Sequence, residues 1–390
     1  MIRCTVGVLA HNEAQNVLRT LHALLGQRLE QAEIVEIIVI ASGCTDGTAE
    51  LAAGFASAFP IVTVDVETQR TGKAAAIKRL MAMARGEVVV LVGADTLPDP
   101  TAIEHLVAPF ADKRVGMTGA RAVPLNTPTT WVGFAVQMMW HAHHRLALRR
   151  PKLGELVAFR NVIQDFPEDT STDEPALEAL ISAKGYRLVY APKAVVYNHG
   201  PRTADEFLTQ RRRIGAGQVR IALRYGYFTS SMRLRHAVPL AVDALCSYPS
   251  YAFWIFGAMA FEVFARLLGA FDVIFGREPV VWRPIKSSKA VAPASETLTL
   301  MVVRWTPGSL DLPAFLRNLE EQAEPHSSVF WWDGREREVM LRLPAGESPL
   351  RWFESRVKAA SQSSALAPIR VGSSPVSWRL VTFGPPAARL

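Results

Sequence analysis

Residues 87–96, EVVVLVGADT, place a run of valine and leucine directly before a glycine and an aspartate. The stretches 5–13, TVGVLAHNE, and 34–48, IVEIIVIASGCTDGT, repeat this order of apolar run and polar end. Near-continuous β-branched runs are typical of strands that helices cover on both faces. Between the runs, apolar residues recur at helical spacing, as in residues 17–25. The alternation of strand and helix predicts an α/β fold with a doubly wound, mostly parallel sheet.

Polar side chains follow four of the predicted strands, at the points where the strands end. Because the carboxyl ends of parallel strands share one edge of a sheet, we expect these clusters to meet and to bind a ligand there. A carboxylate such as Asp95 is the residue type that a hard divalent cation prefers. Asn12 and Asp46 have an alternative interpretation as helix caps. The candidates for nucleotide binding in these clusters are Ala10, Asn12, Glu13, Ser42, Asp46, Lys73 and Asp95.

The composition excludes several classes of protein. The chain has 390 residues, a hydrophobic fraction of 49% and a net charge of +7. A disordered chain would lack that much apolar surface. The three cysteines are far apart and form no CxxC pair, so neither a disulfide framework nor a zinc motif is predicted, and a reducing compartment is expected.

The charge is concentrated in one stretch. Residues 211–235 contain seven arginines and no acidic residue, and residues 244–261 carry no charge at all. A basic stripe beside an apolar run predicts contact with an anionic membrane surface, an anionic substrate, or both. At a membrane, the apolar run would be a span or an interfacial helix. The alternative is a buried core helix, which Pro249 inside the run favours. No nucleic-acid partner is expected, because no base-stacking motif accompanies the arginines.

The rest of the chain reads as a separate small unit. Residues 297–383 follow the order strand, helix, strand, strand, helix, strand, with the helices at 312–322 and 350–360. This order predicts a ferredoxin-like α+β domain. The predicted organisation has four parts: residues 1–230 as the α/β domain, 231–283 as membrane-associated apolar helices, 284–296 as a linker and 297–390 as the small α+β domain.

Six motifs, in this order, carry a resemblance to a known family: Asn12-Glu13, Thr45-Asp46-Gly47-Thr48, Arg70-Thr71-Gly72-Lys73, Ala94-Asp95, Asp173-Glu174 and Gln210-Arg211-Arg212-Arg213-Ile214. The sequence over residues 5–217 resembles a family 2 nucleotide-sugar glycosyltransferase, which implies a GT-A, Rossmann-like fold. Three motifs depart from the family pattern. The Asp-x-Asp metal motif keeps only Asp95, the Glu-Asp motif is reversed in order, and Ile214 replaces a tryptophan.

The resemblance implies an inverting displacement at a nucleotide-diphosphate sugar. Glu174 or Asp173 would be the general base that takes the proton of the acceptor hydroxyl, a role that contributes roughly 10²–10⁴-fold in rate. Asp95 and His199 would hold a divalent metal, Mg²⁺ or Mn²⁺. His199 could equally be a turn residue with a satisfied hydrogen bond.

Gln210 and Arg213 would close over the diphosphate in this interpretation. The tryptophan that Ile214 replaces stacks on the acceptor sugar in processive members, so its absence argues for a non-processive enzyme. Because the apolar run follows the site in sequence, we expect a lipid or lipid-linked glycan acceptor at the cytoplasmic face of the membrane.

Two other functions compete with this one. A catalytically silent nucleotide-sugar-binding protein would explain the missing first aspartate of the metal motif. A sugar-phosphate nucleotidyltransferase has a similar sheet but opens with a glycine-rich loop, whereas residues 10–13 contain no glycine.

Overall fold

The computed structural model describes residues 1–168, 170, 172–247, 251–277, 285, 287, 289, 298–305, 329–333, 338–343 and 376–383. Its strands are β1 (Ile2–Ala10), β2 (Ala32–Ser42), β3 (Val62–Glu67), β4 (Val88–Gly93), β5 (Leu97–Pro98), β6 (Val115–Pro124), β7 (Val157–Arg160), β8 (Arg187–Asn198), β9 (Leu298–Trp305), β10 (Val329–Asp333), β11 (Glu338–Leu343) and β12 (Val376–Phe383). Its helices are α1 (Val17–Leu25), α2 (Thr48–Ala58), α3 (Lys73–Met83), α4 (Ala102–Val107), α5 (Trp131–Arg149), α6 (Asp173–Ala183), α7 (Ala204–Tyr225), α8 (Leu234–Ser247) and α9 (Ala252–Ile274).

The first eight strands form one sheet in the order β3-β2-β1-β4-β7-β6-β8-β5. β1 pairs in parallel with β2 and β4, β2 with β3, and β6 with β8. β7 and β5 run antiparallel to their neighbours. The predicted mostly parallel α/β sheet is therefore confirmed. The sequence pattern missed β5 and β7, because a strand of two or four residues is too short to show a period.

Strand β4 lies in the middle of two apolar layers. Val88, Val90 and Val92 point to the layer that contains Leu21 of α1. Val89 and Leu91 point to the opposite layer, which contains Ile77 and Leu80 of α3. Both faces of the strand must be apolar for this packing, which explains the unbroken run that begins at residue 88.

The ends of the central strands are in register. Ala10 lies opposite Ala41 in the pair β1–β2, and Leu9 lies opposite Gly93 in the pair β1–β4. The polar clusters that follow these strands therefore start from the same edge of the sheet, as the sequence predicted.

Helix α9 packs along α7 through charged side chains. Arg211 of α7 donates to both carboxylate oxygens of Glu262, at 2.6 and 2.7 Å, and Arg212 donates to both oxygens of Asp272, at 2.6 Å each. α9 is long and apolar enough to cross a membrane, yet its charged residues face α7. Its other face is exposed over the whole length of the helix, at Phe253, Phe256, Val263, Phe264, Leu267, Phe271 and Ile274.

The last four strands form an antiparallel sheet in the order β10-β11-β9-β12. This order and these directions agree with the predicted ferredoxin-like unit. The predicted helices at 312–322 and 350–360 lie outside the described residues. The domain boundaries at 230, 283 and 296 remain predictions.

Gly86, just before β4, tests how tightly the sheet is packed at this point. A Cβ at this position would lie 2.4 Å from the backbone nitrogen of Thr5 on β1. We expect Gly86→Ala to lower the free energy of unfolding by about 1–3 kcal/mol, because backbone cannot yield as a flexible side chain can. Gly54→Ala is the matched control, since a Cβ on this residue of α2 would meet nothing within 4 Å.

The control should gain about 0.5–1 kcal/mol, since alanine favours a helix interior. Urea unfolding of the two variants measures both effects. Equal changes in the two variants would contradict the packing described.

Candidate active site

A cavity of about 410 Å³ opens at the edge where the parallel strands end. Its walls come from the loops after β1, β2 and β4, from the first turns of α3 and α6, and from α5 and α7. Most of the predicted site residues line it, namely Ala10, Glu13, Ser42, Lys73, Asp95, Asp173, Glu174, His199, Gln210 and Arg213.

Lys73 joins the two carboxylates that the sequence proposed as the base. Its Nζ lies 2.8 Å from Oδ2 of Asp173 and 3.0 Å from Oε1 of Glu174. Asp173 and Glu174 lie in the first turn of α6, where the backbone N–H groups favour negative charge. Lys73 is the first residue of α3. Lys73 was predicted to bind the nucleotide, which stays a prediction, and the structure adds the contact of its ammonium with these two carboxylates.

The pair Asp173 and Glu174 is asymmetric. Burial raises the pKa of Asp173 above its usual range, an effect that the nearby Glu174 charge adds to. Burial also acts on Glu174, but the Lys73 charge and a backbone N–H outweigh it and lower its pKa. Glu174 is therefore the member of the pair that is more readily ionised, as a general base must be.

A second group of carboxylates, Glu13, Asp95 and Glu155, also lines the cavity. Burial, with the charge of Asp95 as the next cause, raises the pKa of both Glu13 and Glu155 to about 7. Burial raises the pKa of Asp95 as well. The charge of Asp95 acts on both glutamates, and carboxylate oxygens are the ligand type that a divalent cation prefers.

The same residues do not form a finished metal cage. Within the part of the chain that the structure describes, no three His, Cys, Asp or Glu side chains are grouped closely enough to hold a metal ion. His199 lines the cavity just after β8, as predicted, and Asp95 lines it after β4. The carboxylate of Asp95 and the imidazole of His199 are ligand types that bind divalent cations.

Glu155 has an unusual backbone, and its role was not predicted. Its φ is 60°, in the left-handed region that residues other than glycine rarely adopt. Leu156 donates its backbone N–H to the carbonyl of Gly154, at 2.8 Å, and fixes the turn. Such strain is common where a side chain is held for function, and here it holds a carboxylate in the wall of the cavity.

Lys289 is a site residue that the sequence did not indicate. Its Nζ lies 2.7 Å from Oε1 of Glu13, donates to the carbonyl of Asn12 at 3.0 Å, and also contacts the carbonyl of His11. It belongs to the predicted linker 284–296, which contains no motif. Only the folded chain brings this ammonium to the cavity, beside Glu13.

Asn12 and Asp46 connect two loops and are absent from the described residues that line the cavity. The Oδ1 of Asn12 accepts the backbone N–H of Thr45 at 2.8 Å. Asp46 accepts backbone N–H groups from Ala14 at 3.0 Å and from Thr48 at 3.1 Å. Asp46 precedes the N-cap residue Gly47 and accepts the first backbone N–H of α2, a role close to the capping alternative. Their nucleotide contacts stay a prediction.

Several polar atoms in the cavity wall are buried and have no hydrogen-bond partner among the residues described. They include Oγ of Ser42, Oε1 of Gln210 and Nε of Arg213. Burial lowers the pKa of Arg70, and the nearby charge of Arg213 lowers it further. Buried polar groups are normally paired, so this wall is built for a polar, anionic ligand.

Two family models match the chain. The model described as Glycosyl transferase family 2 matches residues 5–159, and the model described as Glycosyl transferase family group 2 matches residues 88–271. Together they cover nearly all of the large sheet, most of the residues that line the cavity and most of α9.

Two curated relatives have similar sequences. Glycosyltransferase AglE of Haloferax volcanii is 24% identical over 257 residues, which are 61% of this chain and 78% of that protein. Poly-beta-1,6-N-acetyl-D-glucosamine synthase of Staphylococcus aureus is 26% identical over 240 residues. The matched segment is 58% of this chain and 56% of the synthase, so the chain spans little more than half of that relative.

Among solved structures, mannosyltransferase PcManGT from Pyrobaculum calidifontis, in complex with GDP-Man and Mn²⁺, has a similar fold. The TM-score is 0.51 at 24% identity, over 71% of this chain and 88% of that one. The order of the sheet and the similarity to this structure define the fold as GT-A. The chain belongs to the family 2 glycosyltransferases.

The raised pKa of Glu155 predicts a pH-dependent cost to stability. A carboxylate whose folded pKa is about 7, against an ordinary value of 4.5, costs little below pH 4.5 and its full amount above pH 7. We expect Glu155→Gln to raise the free energy of unfolding at pH 8 by about 1–3 kcal/mol and to change it much less at pH 5.

Urea unfolding at the two pH values measures this difference. Glutamine keeps the shape of the side chain, and the exposed Glu50→Gln is the control. If Glu155→Gln changed the free energy of unfolding equally at both pH values, burial and the charge of Asp95 would not raise the pKa of Glu155 in the folded protein.

Proposed function

We propose that the protein transfers a sugar from a nucleotide-diphosphate donor to an acceptor hydroxyl with inversion at the sugar carbon. The observation that carries this proposal is the pair of carboxylates of Asp173 and Glu174, both ion-paired to Lys73. They share one cavity with Asp95, Gln210 and Arg213. A base, a site for a cation and an anion-binding wall are the three parts that such a displacement needs.

The base side of the cavity supplies the proton acceptor. Glu174, kept ionised by Lys73, takes the proton of the acceptor hydroxyl while the new bond from its oxygen to the sugar carbon forms. The bond from that carbon to the diphosphate oxygen breaks, and the negative charge leaves with the diphosphate. Asp173 holds the other side of the Lys73 ammonium and keeps it in place.

The diphosphate end of the donor fits the wall that α7 contributes. The unpartnered atoms of Gln210 and Arg213 can donate to or accept from the phosphate and ribose groups, and Arg70 adds a second charge. Fixed guanidinium groups stabilise a departing anion without reorganisation. Ile214 gives no aromatic platform for a growing glycan, which supports a non-processive reaction.

A divalent cation, Mg²⁺ or Mn²⁺, fits this enzyme. Asp95 would hold it, with His199 as the second protein ligand. The nearby Glu13 and Glu155 add carboxylate oxygens, and burial followed by the charge of Asp95 raises the pKa of both, so a bound cation would favour their ionised forms. When bound, the cation supplies positive charge to the donor diphosphate.

The exposed face of α9 supports a membrane-bound acceptor. Phe253 is 86% exposed and is the first of seven large apolar side chains along that face. Because Glu262 and Asp272 on the opposite face are paired with α7, the helix suits a position flat in the interface better than a span. We propose that the acceptor is a lipid or a lipid-linked glycan, used at the cytoplasmic face of the membrane.

The activity test uses a panel of uridine, guanosine and thymidine diphosphate sugars with Mn²⁺, and it measures donor hydrolysis and sugar transfer. We expect Glu174→Gln to lower kcat by roughly 10²–10⁴-fold with donor binding retained. Asp95→Asn should instead weaken the binding of donor together with Mn²⁺. Asp165→Asn, at a side chain that is 83% exposed, is the control and should leave both unchanged.

Full activity in both site variants would overturn the assignment. Donor binding without any turnover by the wild-type protein, across the panel, would instead favour a silent binding protein.

A further inference from the structure

A second cavity, of about 330 Å³, lies away from the active site. It lies between the residues just after α5, the start of β8 and the start of α8, and four basic side chains line it: Arg150, Arg187, Arg233 and His236. None of the described residues that line it is acidic. The cavity therefore concentrates positive charge with no counter-charge in its wall.

The arginines of this cavity are largely unpaired. Arg187 lies 3.5 Å from Oδ2 of Asp112, in an exposed ion pair. In the part of the chain that the structure describes, no carboxylate lies within ion-pair distance of Arg150 or Arg233. Cations that are brought together in a concave site without a counter-charge repel one another, and a bound anion removes that repulsion.

His236 adds a polar atom that is free for a ligand. Its Nε2 is buried and has no hydrogen-bond partner within the described parts of the chain. Partial burial, then Arg235, Arg150 and Arg233, lower the pKa of the ring, so the three arginines are near enough to act on it. A neutral ring can give one hydrogen bond to an oxyanion beside the guanidinium groups.

The cavity borders exposed apolar surface. Phe228 lines it and is 54% exposed. On α8, Arg235 shares a face with Val238 and Val242, at positions i, i+3 and i+7, and these valines are 61% and 54% exposed. A ligand with a negative head and an apolar body matches this surface better than a free anion does.

We propose that this second cavity binds the phosphate of an anionic phospholipid while Phe228, Val238 and Val242 enter the interface. The proposal rests on the membrane association proposed above and names the group in the membrane that is recognised. Arg150 and Arg233 contact the phosphate, and the headgroup fixes how the protein sits on the bilayer. Each arginine near an anionic surface adds severalfold in affinity.

The test is binding of the full chain to vesicles of phosphatidylcholine alone and to vesicles with 20 mol% phosphatidylglycerol, which are separated by flotation. We expect the wild-type protein to prefer the anionic vesicles by roughly tenfold or more. Arg150→Gln/Arg233→Gln should lose most of that preference and bind the neutral vesicles as the wild type does.

The control is Arg3→Gln/Arg28→Gln, which removes the same charge from exposed positions on β1 and after α1. It should keep most of the preference, and thermal melts of both double variants establish that they are folded. An equal loss in both double variants would mean a diffuse charge effect and would overturn the site.

Two further results would overturn the proposal. One is a wild-type protein without preference for the anionic vesicles. The other is a rise in melting temperature and a loss of the vesicle preference when glycerol phosphate is added at millimolar concentration. The site would then bind a soluble anion. Sugar transfer in detergent should be the same in Arg150→Gln/Arg233→Gln and the wild type. If the wild type transfers no sugar, the proposed function fails while the vesicle result stands.

Discussion

The active site depends on one contact, the ammonium of Lys73 between Asp173 and Glu174. It connects the first turns of α3 and α6, which lie far apart in sequence, at the carboxyl edge of the sheet. Without this cation, two adjacent carboxylates in a cavity would repel each other and bind protons. With it, the pKa of Glu174 is lowered, and under the proposed function this carboxylate takes the proton of the acceptor hydroxyl.

The remaining charges of the cavity are arranged in two opposed groups. One group consists of Glu13, Asp95 and Glu155, whose pKa values are raised, and Lys289 contacts Glu13. Gln210 and Arg213 on α7 leave buried polar atoms without a described partner. Lys289 is the described partner of Glu13 in the first group, and under the proposed function a diphosphate bound together with a divalent cation would bring charge of both signs to the cavity.

The sequence predicted the sheet because β-branched runs and strand ends are local patterns, and it predicted Asp95, Glu174 and His199 in the cavity by their order along the chain. It missed β5 and β7, which are too short for a period, and Lys289, which reaches the site from a region without motifs. It also did not predict the contact of Lys73 with Asp173 and Glu174, because a motif states that a lysine is near the site but not which anion its ammonium contacts.

The pH dependence of kcat/KM for Lys73→Met tests the central contact most directly. If Lys73 keeps Glu174 ionised, its removal raises the pKa of that carboxyl, and the acidic limb of the profile moves upward by about one pH unit or more, with activity recovering at higher pH. A limb that stays at the wild-type pH, together with a raised KM for the donor at every pH, would contradict this account and make Lys73 a phosphate ligand.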